Sequence, residues 1–174
     1  MSGGPFMLLS VLGSGAAFSR RYGTTCSVLT LPSGDSWLID CGRQAPEQLA
    51  SAGLGWHRLT GQLVTHVHGD HVYGLEEFAF VRYYTKGNGL DAVMKGGPRP
   101  RLVAHGAVLS ELWEVLGPSL RYRSDDNGEP VQGRLEDYFD VLAPGPLDVS
   151  RREHVEVIFQ PALDRLAVVI GAIA

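Results

Sequence analysis

The chain of 174 residues is poor in cysteine, in long apolar runs and in positive charge. Two cysteines, Cys26 and Cys41, cannot build a disulfide framework, so reduced thiols and a cytoplasmic setting are expected. The apolar run "LAVVIGAIA" is far short of the roughly 20 residues needed to cross a bilayer. The opening "MSGGPFMLLSVLGSG" has no basic segment and too little apolar length for a signal peptide. A soluble protein with no membrane partner is therefore expected. The formal net charge of −4 excludes nucleic-acid binding driven by bulk charge, leaving only small basic pairs such as Arg20–Arg21 and Arg151–Arg152. Histidine is scarce too, with six in the chain, and three of these fall within seven residues.

Hydrophobic residues at 44% and charged residues at 20% suit one globular domain with a sizeable core. "FMLLSVLGSG" reads as a buried strand entering a glycine turn. "CSVLTL" and "SWLID" read as strands joined by the turn residues "PSGD", and "APEQLASAGL" as a short helix. "GQLVTH" is a further strand. After Gly69, Val72, Leu75, Phe78 (or Ala79) and Arg82 recur at helical spacing, predicting one helix despite Gly74. "RLVAHGAVLSELWEVLG" predicts a strand, a turn and an amphipathic helix ended by Gly117-Pro118. "YRSDDNGEPVQG" is a loop or hairpin rim. "RLEDYFDVLAPGPLDVS" mixes a short helical piece with a proline-glycine turn, and "HVEVIFQ" and "RLAVVIGAIA" are strands. The alternation predicts α/β layers in a sandwich with helices outside.

"THVHGDH" carries the chemistry. His66 and His68, two positions apart at the end of a strand, project to the same side, so two imidazoles can converge on one metal. Gly69 lets the chain turn tightly, and Asp70 and His71 follow in the first turn of a helix. They offer a second pair of donors, one oxygen and one nitrogen, beside the first. Zinc suits the imidazoles, with manganese or iron acceptable at the oxygen-containing position.

The spacing His66, His68, Asp70, His71 resembles the H-x-H-x-D-H motif of the metallo-β-lactamase superfamily. "VLGSGAAF" resembles the first strand and glycine turn of its ribonuclease Z-like branch. "WLIDCG" is similar to the strand that ends in a supporting aspartate, here Asp40, and "LVTHVHGDHVYGLEEF" matches the family's strand, metal loop and helix in order. The resemblance spans about residues 7 to 116. It implies an αβ/βα sandwich with a two-zinc site at the sheet edge. His66 and His68 would hold the first metal, and Asp70 and His71 the second. Asp70 would also be catalytic, orienting the attacking hydroxide. Asp40 would hydrogen-bond within the metal loop and fix its ligands, or else simply cap a turn at a strand end.

The family's later ligands have no clear counterparts. His105 stands at a strand-to-helix turn where the family has none. His154 is the remaining candidate ligand, although it precedes a strand instead of following one. The expected domain is therefore a single one over 1–174, incomplete at its C-terminal end. His57 reads as a surface residue, Cys41 as a buried thiol, and Tyr83, Tyr84 and Trp113 as packing. The resemblance implies a metal-dependent hydrolase of phosphodiesters, favoured over a β-lactam or thioester. RNA and cyclic nucleotides are both admitted, and the low positive charge leans towards a small nucleotide. The alternative is a catalytically incomplete metal-binding fragment or half-domain that needs a partner chain. Uncovered strand edges would then favour self-association, as a homodimer or an aggregate.

Overall fold

The computed structural model describes residues 6–84, 99–125, 127–142, 154–159 and 166–170. Arg151–Arg152 and the expected proline-glycine turn at 143–146 lie outside them. The strands are β1 (Phe6–Gly13), β2 (Cys26–Thr30), β3 (Ser36–Ile39), β4 (Gly61–Val64), β5 (Arg101–Ala104), β6 (Tyr122–Ser124), β7 (Pro130–Gln132), β8 (Asp140–Leu142), β9 (His154–Phe159) and β10 (Leu166–Ile170). Between them run α1 (Ala45–Ser51), α2 (Gly69–Val72), α3 (Leu75–Tyr84), α4 (Gly106–Leu120) and α5 (Leu135–Tyr138). Eight strands form one sheet in the order β10-β9-β1-β2-β3-β4-β5-β8, and β6 and β7 form a separate hairpin. Among the described residues no helix is long and apolar enough to cross a membrane.

The expected hairpin is present: β2 and β3 pair antiparallel, with Ser27 opposite Ile39 and Thr30 opposite Ser36. From β3 onward the neighbours β4, β5 and β8 are parallel, each reached through helical crossovers. Val28, Leu38, Gln62 and Leu102 align across four strands and are all buried. They pack with Leu49, Val72, Leu75, Phe78, Leu112 and Leu116 of the helices in one core. Burying each such aliphatic side chain stabilises the fold by about 1.5–3 kcal/mol before entropy is counted. Alternation places Leu29, Trp37, Ile39, Leu63 and Val103 on the other face, where each is only half-buried. Gln62 is the polar exception in the covered row. Among the described residues neither of its amide atoms finds a partner.

Two helix boundaries differ from the sequence expectation. The single helix after Gly69 is broken into α2 and α3 at Tyr73-Gly74. Gly74 donates its N–H to the Cys41 carbonyl, and a Cβ there would lie 2.4 Å from the Gly42 carbonyl oxygen. The close approach of β3's exit loop therefore dictates both the break and the glycine. Helix α4 also continues through Pro118 to Leu120. Pro118 costs a hydrogen bond in the last turn, but burial of Leu116 and Leu120 on either side holds the helix on the core.

Candidate metal centre

Strand β4 delivers the chain to the cluster at the C-terminal end of the parallel strands, and β3 delivers Asp40 beside it. Asp40 is buried and holds φ at 58°, a left-handed conformation that few non-glycine residues adopt. Its main-chain N–H donates to Leu63, and the next residue, Cys41, donates to the His71 carbonyl at 2.7 Å. The strained turn aims the Asp40 carboxylate into the histidine loop. Its oxygens accept from the Thr65 N–H at 2.9 Å, from the Thr65 hydroxyl at 2.8 Å, and from His71 Nδ1 at 2.8 Å. Asp40 thus hydrogen-bonds both to Thr65 at the exit of β4 and to the ring of His71.

Thr65 is the residue that sequence reasoning passed over, although it opens the quoted motif. Its hydroxyl proton points to Asp40, so its lone pair faces His66 Nδ1, 3.0 Å away. A carboxylate only accepts, so the His71 proton also sits on Nδ1. With Nδ1 engaged in this way in both rings, Nε2 is the nitrogen left to face a metal. The His66 ring lies 3.9 Å from that of His71 and 4.7 Å from that of His68, centroid to centroid. Asp70 Oδ2 is 3.4 Å from His71 Nε2. The three imidazoles and the aspartate are thus brought together at one sheet edge. Their donor chemistry fits zinc, although among the described residues no three donors stand in a ready-made metal cage.

The loop is walled by close main-chain contacts. A Cβ on Gly42 would lie 2.0 Å from the Asp70 carbonyl oxygen and 2.8 Å from Thr24 Oγ1. Thr24 is itself gripped by Gln44 and Gln48, which ties the β1–β2 turn to the same wall. The thiols stay protonated: burial pushes Cys26 up to about 12, with the Asp40 charge adding to it, and burial raises Cys41 well above the usual thiol value. Cys41 is thus a buried thiol, as expected.

The other candidates sit elsewhere. His105 caps α4, its ring accepting from the Ala107 N–H at 3.3 Å. His154 opens β9 and pairs with Phe6 at the start of β1. That is the opposite end of the sheet from His66 and four strands away, roughly 19 Å sideways at ~4.8 Å per strand. The expectation that His154 supplies a ligand to the cluster is not supported by this register, because a strand running parallel to β1 brings its first residue to the far edge. Tyr83 stacks against Arg123 and hydrogen-bonds to it, tethering the β6–β7 hairpin to α3, so it is packing as expected.

The fold is that of metallo-β-lactamase proteins. The metallo-beta-lactamase fold protein YhfI from Bacillus subtilis aligns with a TM-score of 0.55 at 16% identity, covering 82% of this chain and 48% of that one. A diphosphatase from the PhnP family aligns with a TM-score of 0.55 at 16% identity, covering 91% and 60%. Human tRNase Z, short form, aligns with a TM-score of 0.51 at 23% identity, covering 87% and 49%. Among sequence relatives, the Anti-Pycsar protein Apyc1 of Saccharibacillus brassicae is 37% identical over 139 residues, 79% of this chain and 50% of that protein. The protein of that name from Paenibacillus sp. (strain J14) is 36% identical over 157 residues, 88% and 57%. The one from Bacillus phage 010DV004 is 34% identical over 136 residues, 78% and 48%. The chain thus spans about half the length of the curated relatives it matches. The glycine turn and "WLIDCG" do not by themselves separate branches of this fold, and the ribonuclease Z-like assignment they suggested yields to a narrower match. The family model for Anti-Pycsar protein Apyc1 matches residues 7–160, and the chain belongs to that family.

Proposed function

We propose that the chain carries the metal-binding half of a phosphodiester hydrolase, with a cyclic nucleotide as substrate. The observation that supports this reading is the Asp40–Thr65–His66 and Asp40–His71 hydrogen bonding, which engages Nδ1 of two neighbouring imidazoles and leaves Nε2 of each for a metal. His66 and His68 would hold one zinc, and Asp70 with His71 a second, with manganese or iron as substitutes. When bound, such metals supply Lewis acidity towards a phosphoryl oxygen and a nucleophilic water at neutral pH. With metal bound, Asp70 would orient the attacking water, while Asp40 holds the ring of His71 by its Nδ1. The relatives' name, anti-Pycsar, fits degradation of a cyclic nucleotide better than of RNA, and the net charge of −4 agrees. A cytoplasmic setting and a homodimer belong to the same proposal.

The test is elemental analysis of the purified chain beside His66→Ala/His68→Ala, with hydrolysis of cyclic nucleotides followed chromatographically. Stoichiometric zinc that disappears in the double variant is expected. Equal metal content in both would end the assignment. A second reading, a half-domain completed by another chain, is supported by the half-buried face of Leu29, Trp37, Ile39, Leu63 and Val103. It predicts one weakly held metal and no turnover until the complementary half of a relative is added.

A further inference from the structure

At the other end of the parallel strands lies a cavity of about 390 Å³. Its wall includes the residues that begin β5 and β8, Arg101 and Asp140, together with Asp35 just before β3. It stands about one strand length, roughly 13 Å, from the histidine loop. Arg58, Arg82, Arg99 and Arg101 converge on it, against two carboxylates, Asp35 and Asp140. In a chain of net charge −4 this concave surface is positive by two.

The carboxylates are already engaged. Asp35 accepts from Ser33 at 2.9 Å and from Thr60 at 3.1 Å. Asp140 pairs with Arg99 at 3.2 Å, and Arg99 also donates to the Glu136 carbonyl at 2.8 Å. Among the described residues no carboxylate pairs with Arg58, Arg82 or Arg101. Arg82 is half-buried over the Phe78 ring, its Nη1 donates to the Trp56 carbonyl at 3.5 Å, and burial lowers its pKa. Four guanidiniums facing two carboxylates leave an excess of positive charge here, which a bound oxyanion offsets.

We infer that this cavity binds a small dianionic phosphate group, a phosphate monoester or a diphosphate, at a site separate from the histidine cluster. The volume lies in the usual range for small-ligand sites. Guanidinium forks match phosphate oxygens in pairs. Leu59 is the one aliphatic residue of the lining and no Phe, Tyr or Trp belongs to it, so recognition falls on the phosphate and not on a base.

The inference is independent of the proposed phosphodiesterase activity and is tested without it. The metal-free full chain is titrated calorimetrically with inorganic phosphate and with pyrophosphate, at ionic strength fixed with sodium chloride. Saturable one-to-one binding of at least one of them is expected. Arg58→Gln/Arg101→Gln should weaken it at least tenfold, and His66→Ala/His68→Ala should leave it unchanged. Arg58 and Arg101 are exposed, so their replacement spares the core; if the double variant still misfolds, Arg58→Gln alone should weaken binding severalfold. No saturable heat from either anion, equal affinity in the arginine variants, or loss of binding in the histidine variant would each overturn it.

Discussion

Replacing Asp40 by asparagine separates the two tasks of this residue. Asparagine tolerates the left-handed φ of 58°, so the turn should survive. The amide oxygen can keep accepting from Thr65. The amide nitrogen, however, would face His71 Nδ1 across a 2.8 Å contact where a carboxylate oxygen now accepts. An N–H there must find a lone pair, so the His71 proton is driven to Nε2. The ring is then unable to bind metal through Nε2. Hydrogen bonds to a charged group are worth about 1.5–3 kcal/mol against 0.5–1.5 for neutral ones. Weakening three of them, with part retained, should cost about 2 kcal/mol of stability. Zinc affinity should fall further, by about 10–100-fold, the usual effect of losing a ligand's orienting partner. Urea unfolding and competitive chelator titration measure the two quantities separately. Zinc affinity within twofold of the parent, in a folded protein, would refute the tautomer argument. The turn itself is tested by a second pair: Asp40→Ala should be less stable than Asp40→Gly by about 1–2 kcal/mol, because only glycine is at ease at this φ.

Gly42→Ala should cost about 1–3 kcal/mol and weaken zinc binding, since its Cβ meets the main chain of Asp70 and no side chain can swing away; unchanged thermal stability would contradict the packing. Gln62→Leu should stabilise the chain by about 1–3 kcal/mol in urea melts, because it removes two buried amide atoms that lack partners among the described residues. A loss of stability would point to a partner for that amide. Cys26 stays protonated in the fold up to about pH 12, while its unfolded thiol ionises near 9. Its share of stability is therefore complete below pH 9 and is lost as pH rises towards 12, and its alkylation at pH 8 should proceed only through unfolding. Rapid alkylation of Cys26 in native protein would refute this.

What could be read from the sequence follows from the range of each interaction. The strands β2 and β3 and the buried stripe of Val72, Leu75 and Phe78 are local patterns, and the structure has them where expected; the spacing of His66, His68, Asp70 and His71 is a local pattern too, and the rings of the three histidines lie close together. The conformation of Asp40 was not legible, because its left-handed φ is forced by β3 and β4 pairing 25 residues apart through Thr65. The break at Gly74 depends on Gly42, distant in sequence, and a periodicity window cannot see it. His154 was misplaced because spacing along the chain does not fix a strand's direction in the sheet. The arginine cavity was missed altogether: Arg58, Arg82 and the pair Arg99 and Arg101 come from three separate stretches of chain and meet only once the crossovers close.

The parallel pairing of β3 with β4 also sets when the centre comes into existence. Neither strand alone holds all of it, since the orienting Asp40 lies on one side of the crossover and Thr65 to His71 on the other. Parallel pairs require the intervening chain to be looped and packed first, which makes them slow steps in folding. Metal capture should then trail helix formation during refolding. Zinc uptake in a stopped-flow experiment would act as a clock for closure of that one crossover, while far-ultraviolet circular dichroism recovers earlier.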